Sequence, residues 1–118
     1  MEKKSPFIFD VDESGFSDLV LNASRDRLVL VDFWADWCSP CIALEPALER
    51  VVREFEGRVH LAKVEVDDNM RLAGHYRLRG FPTVILFHGE DELGRFSGSR
   101  GVHWIRDWIE EHGGEQLS

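Results

Sequence analysis

Apolar residues recur along this chain with two alternating periods. Leu28-Val29-Leu30-Val31-Asp32-Phe33-Trp34-Ala35 is apolar except for Asp32, as expected of a central strand covered on both faces. Before it, Phe7-Ile8-Phe9 predicts a short strand, and Ser14 to Asn22 predicts a helix from Phe16, Leu19 and Val20. After it, Leu44, Leu48, Val51 and Phe55 recur every three to four residues, which predicts a long amphipathic helix with Gly57 suited to its end. Pro46 lies inside that helix and predicts a bend there. Val59 to Val66 predicts a strand, and Asn69 to Tyr76 a short helix carrying Leu72, Ala73 and Tyr76 on its apolar side. Thr83 to His88 and Glu92 to Ser97 flank Gly89-Glu90-Asp91, which predicts an antiparallel hairpin. Trp104, Ile105, Trp108 and Ile109 form one face of a last helix.

The order is βαβαβαββα, which predicts an α/β fold: a mixed five-stranded sheet with helices on both faces. One domain is expected over residues 1–112. Gly113-Gly114-Glu115-Gln116 predicts a flexible tail over residues 113–118.

Composition narrows the function. Among 118 residues, 14 Lys and Arg stand against 22 Asp and Glu, a net charge of −8 that repels phosphate backbones and anionic membrane surfaces. Nucleic acid and membrane are therefore not expected as partners. The apolar runs are far shorter than the roughly 20 residues needed to span a bilayer. Only Phe7 to Phe9 are apolar before Asp10, so no signal-peptide core is legible and the cytoplasm is the expected compartment.

The chain has two cysteines, in Trp37-Cys38-Ser39-Pro40-Cys41, placed between the apolar strand and the long helix. Unpaired N–H groups and the partial positive charge of a helix N-terminus favour a thiolate over a thiol at Cys38. Cys41, one turn further in, is expected to be less exposed. Pro40 suits the first turn, where its missing N–H has no partner to lose. Two other readings exist for such a pair. A structural bridge closing so short a loop would constrain the unfolded chain little. A zinc site needs a second ligand pair, and His60, His75, His88, His103 and His112 lack the H-x₃₋₅-H spacing. No metal site is expected. Asp32 also stands out, because a lone carboxylate in an apolar strand is costly to bury ionised, which raises its pKa and makes it a candidate proton acceptor.

The chain resembles the thioredoxin family in Val31-Asp32-Phe33-Trp34-Ala35, Trp37-Cys38 with Pro40-Cys41, Pro46, Ala62-Lys63-Val64, Asp67, Gly80-Phe81-Pro82-Thr83 and Gly98. The resemblance implies the thioredoxin fold and a protein-disulfide reductase whose redox-active disulfide joins Cys38 and Cys41. It implies that Pro82 is cis and faces the cysteines. Trp37, Pro40, Phe81, Pro82 and Gly98 would line a shallow groove for an extended target peptide. Asp32 would take the proton of Cys41, and Lys63 would tune it. The implied partners are disulfide-containing proteins and an NADPH-dependent thioredoxin reductase, with no cofactor bound to this chain, which is expected to be a monomer. Two positions depart from the pattern. Ser39 replaces the usual glycine, and Ile42 replaces the usual basic residue after the second cysteine, removing a cation near the thiolate. Other functions on the same fold are a chaperone or adaptor module and, in an oxidising compartment, a disulfide oxidase or isomerase.

Overall fold

Five strands build one mixed sheet in the order β1-β3-β2-β4-β5, in a computed structural model that describes residues 5–117. They are β1 (Ile8–Asp10), β2 (Leu28–Trp34), β3 (Val59–Glu65), β4 (Thr83–His88) and β5 (Asp91–Ser97). The helices are α1 (Ser39–Glu54), α2 (Met70–His75) and α3 (Val102–Leu117). β1 and β2 run parallel to β3, while β4 runs antiparallel to both β2 and β5. The expected order of elements is therefore found, and β2 is the middle strand.

Strand period 2 sorts the residues of β2 onto two faces. Leu28 and Leu30 join Leu44, Leu48, Leu61, Leu86, Ile105 and Ile109 in a core beneath α1 and α3. Val29, Val31 and Phe33 join Phe16, Val20, Ala62, Val64, Ile85 and Phe87 in a second core on the opposite face. Both layers are fully dry at Leu30, Leu44, Leu48 and Val31. Burying each such leucine contributes about 1.5–3 kcal/mol, so the sheet is held from both sides.

Three local expectations are corrected. Residues Ser17–Asn22 wind as a π-helix followed by a 3₁₀ turn at Ala23–Arg25, where the sequence predicts one helix from Ser14 to Asn22. Phe16 and Val20 are still buried, and the buried Ser24 hydroxyl shares its one proton between the carbonyls of Leu21 (3.0 Å) and Gly89 (2.8 Å), tying the segment's end to the β4–β5 turn. That turn is one residue shorter than expected, because β5 already begins at Asp91 and Gly89 supplies φ +62°. Third, Gly113 and Gly114 do not open a flexible tail, since α3 continues to Leu117.

The last correction has a packing cause. Gly113 is buried, and a Cβ placed on it would stand 2.5 Å from Leu28 Cδ1 and 3.3 Å from Leu86 Cδ2. The missing side chain lets α3 approach the sheet closely, and that burial outweighs the roughly 1 kcal/mol helix penalty of glycine. Gly113→Val is therefore expected to destabilise the protein by about 1–3 kcal/mol through overpacking against Leu28, measured by urea unfolding. Unchanged stability would show that the close approach is not required.

Candidate functional site

β2 ends at Trp34, and the chain turns through Ala35, Asp36 and Trp37 into α1. Cys38 is the N-cap of α1, with φ −98° and ψ 102°. Its Sγ accepts a hydrogen bond from the Cys41 N–H at 3.2 Å, so a sulfur fills the capping role that a hydroxyl or carboxylate oxygen usually takes. The carbonyl of Cys38 also accepts the N–H of Cys41 (3.1 Å) and of Ile42 (3.2 Å), which starts the helix. Pro40 occupies the first turn, as its missing donor allows.

Cys38 and Cys41 are joined by a disulfide, with Cα atoms 5.3 Å apart. Both cysteines are buried, Cys41 at 2% exposure and Cys38 at 5%, so Cys38 keeps the better access. Ile42, one residue beyond, is 58% exposed and places an apolar surface where a cation is usual for the pattern.

Distant parts of the chain meet at Trp37, the residue before Cys38. Trp37 is 63% exposed, and its Nε1–H donates to Asp67 Oδ2 at 2.9 Å, which fixes the indole's orientation. The Phe81 ring meets the Trp37 ring edge-on, 6.2 Å between centroids. The Phe81–Pro82 peptide bond is cis, as the resemblance implies. Gly98, at φ +87°, donates its N–H to the Pro82 carbonyl at 3.0 Å, joining the two residues through their backbones. The buried Thr83 hydroxyl donates to the Gly80 carbonyl at 2.6 Å and holds the approach to Pro82 in shape. Pro40 is exposed in the first turn of α1.

Asp32 lies on the α1-facing side of β2, at 1% exposure. Both its carboxylate oxygens lack a hydrogen-bond partner among the described residues. Burial drives its carboxyl up to about 7; the charge of Lys63 pulls it down, and Glu45 and Glu49 push it up. Lys63 is the register partner of Asp32 across β2 and β3. Its ammonium does not hydrogen-bond to Asp32, however. It is hydrogen-bonded to Glu49 and lies 3.6 Å from Glu45 Oε1. The structure thus gathers Cys38 with Cys41, Trp37 with Phe81, and Pro82 with Gly98, and it turns Lys63 away from Asp32.

Sequence reasoning missed Glu45 and the second partner of Glu49. Glu49 also bridges Arg53, its i, i+4 neighbour on α1, at 3.4 Å. The usable signal was two acids four residues apart on a helix packed against a strand bearing a lone lysine. Among the described residues, no group of three or more His, Cys, Asp or Glu is arranged to hold a metal ion, and no helix is long and apolar enough to cross a membrane.

Sequence comparisons give the same picture over most of the chain. A family model described as Thioredoxin matches residues 7–111. A thioredoxin of Chlorobaculum thiosulfatiphilum is 36% identical over 104 residues, covering 88% of this chain and 94% of that protein. Thioredoxin 2 of Chlorobaculum tepidum is 35% identical over 104 residues, with the same coverage of each chain. A thioredoxin of Buchnera aphidicola subsp. Schizaphis graminum is 33% identical over 105 residues, covering 89% of this chain and 95% of that protein. With a five-stranded mixed sheet, a helix-capping Cys-x-x-Cys pair and a cis Phe81–Pro82 bond in place, the chain belongs to the thioredoxin family and is a thiol/disulfide oxidoreductase.

Proposed function

We propose that this protein works in the reducing direction, opening disulfides in other proteins with the Cys38/Cys41 dithiol. The observation that carries this reading is the inequality of the two sulfurs: Cys38 caps α1 and keeps the greater exposure, while Cys41 is held one turn inside it. In the reduced protein, the helix N-terminus and the Cys41 N–H stabilise a thiolate at Cys38. That thiolate attacks a target disulfide and forms a mixed disulfide, with the target segment lying extended over Trp37, Pro40, Phe81, Pro82 and Gly98. Cys41 gives up its proton, with Asp32 as acceptor, and attacks Cys38 Sγ. The target leaves with both its sulfurs reduced, and the protein holds the Cys38–Cys41 disulfide. No bound cofactor takes part. A partner thioredoxin reductase drawing on NADPH restores the dithiol, in the cytoplasm, with the protein as a monomer.

Equilibration with glutathione buffers tests the direction. A reductant of this kind is expected to have a potential near that of thioredoxin, about −270 mV, and to couple insulin reduction to NADPH consumption by a thioredoxin reductase. A potential near about −120 mV would place the protein among the oxidants and overturn the reading.

A further inference from the structure

Three carboxylates, those of Asp32, Glu45 and Glu49, act on one ammonium, that of Lys63. Lys63 and Asp32 are aligned across neighbouring parallel strands, so both side chains leave the same face of the sheet. Such a lysine is placed to be the counterion of the buried carboxylate. It pairs with α1 instead, hydrogen-bonded to Glu49 and 3.6 Å from Glu45 Oε1. Glu45 and Glu49 are four residues apart, so they share the helix face that overlies β3. Their side chains keep 43% and 18% exposure, against 13% for Lys63 and 1% for Asp32. A partly solvated carboxylate loses less hydration than a dry one. The ammonium therefore stays with the glutamates, which leaves the Asp32 carboxyl without a hydrogen-bonded counterion.

We propose that Glu45 and Glu49 are positioning residues: by holding the Lys63 ammonium against α1 they leave Asp32 unpaired, as a group that takes and returns the Cys41 proton. This rests on the reading of Asp32 as proton acceptor. The charged groups acting on Asp32 are Lys63 on β3 and Glu45 and Glu49 on α1. Its partner on β4 is the apolar Val84, and α3 presents Ile105, Trp108 and Ile109 to this core. Asp10 on β1 acts on Lys63. Burial alone would lower the Lys63 pKa. The Glu49 hydrogen bond and the charges of Glu45, Glu49 and Asp10 more than offset that, so it is raised and the ammonium persists.

In the resolving step the Cys41 S–H transfers its proton to an Asp32 oxygen, and the thiolate electron pair forms a bond to Cys38 Sγ. The bond between Cys38 and the target sulfur breaks, and its electrons leave on that sulfur. The target sulfur takes a proton from solvent, and Asp32 returns one to solvent.

The carboxyl carbon resonance of Asp32, followed against pH by NMR in the reduced protein, tests the device. In Glu45→Gln/Glu49→Gln, which keeps the shape of both side chains, the Asp32 midpoint is expected to fall by about one pH unit or more, because Lys63 is released toward it. Lys63→Met is expected to raise the midpoint, and adding the two glutamine substitutions to Lys63→Met should shift it far less than they do when Lys63 is present. An unmoved midpoint in the folded double variant, or an equal shift with and without Lys63, overturns the proposal. The pH profile of target-thiol release from a preformed mixed disulfide separates the two readings. A profile that follows the Asp32 midpoint supports both. A profile that stays fixed while the midpoint moves leaves the hold on Lys63 standing and removes Asp32 as acceptor.

Discussion

Cys38→Ser is expected to abolish insulin reduction, by roughly three orders of magnitude or more, whereas Cys41→Ser should still attack targets and then stall with them attached. The asymmetry follows from position. A serine hydroxyl at the N-cap of α1 would keep the helix capped, so the fold survives, but it offers no thiolate at neutral pH. In Cys41→Ser the Cys38 nucleophile and its helix terminus remain, so the first exchange proceeds. The sulfur that would break the mixed disulfide is missing, so the adduct persists. Non-reducing gels and intact mass of protein incubated with oxidised insulin read both effects. Turnover retained in Cys38→Ser, or adducts on Cys38→Ser in place of Cys41→Ser, would reverse the assigned roles.

Asp32→Asn is expected to stabilise the protein at pH 8 by about 4 kcal/mol and to have almost no effect near pH 4. The sign follows from burial. The native carboxyl is pushed up to about 7, first by desolvation and further by Glu45 and Glu49, against the pull of Lys63. In the unfolded chain an aspartate titrates near about 3.9. Between those values the native state holds a proton that the unfolded state has released, so stability falls as pH rises and levels off above about pH 7. Asparagine does not ionise and removes the fall. Urea unfolding of both proteins across pH 4–8 checks this. Parallel curves across the range would mean that the carboxyl is not the source of the pH dependence. The same variant should slow release of the target from the mixed disulfide. A charge that destabilises the native state at neutral pH is more readily understood as serving the chemistry than the fold.

The hydrophobic periods alone were enough to place β2 in the middle of the sheet and to locate α1, β3, β4 and α3 within a few residues. These elements obey local rules: the nearly unbroken apolar run from Leu28 to Phe33 requires two cores, and the i, i+3, i+4 recurrence from Leu44 requires one buried helix face. The site was partly legible for the same kind of reason. A Cys-x-x-Cys pair between a buried strand and a helix start puts one sulfur at a cap, and an acid within an apolar strand is buried at a cost whatever surrounds it. The residues Cys38, Cys41 and Asp32 needed no contact map.

Other features depended on residues far apart in sequence. Gly113 reads as a linker until it is known to pack on Leu28, 85 positions earlier, because burial against the sheet outweighs glycine's intrinsic preference. The Trp37 indole is oriented by Asp67, and the Pro82 carbonyl is bonded to the backbone of Gly98. The choice of Lys63 between Asp32 and the Glu45–Glu49 pair is of the same kind. It depends on how much water each carboxylate keeps and on which helix covers β3, and both are decided only when the layers pack. The sequence by itself therefore determined the strands, the helices, the two thiols and the buried acid. Tertiary structure decided which charges meet, because their energies depend on burial and distance, and neither is a property of sequence spacing.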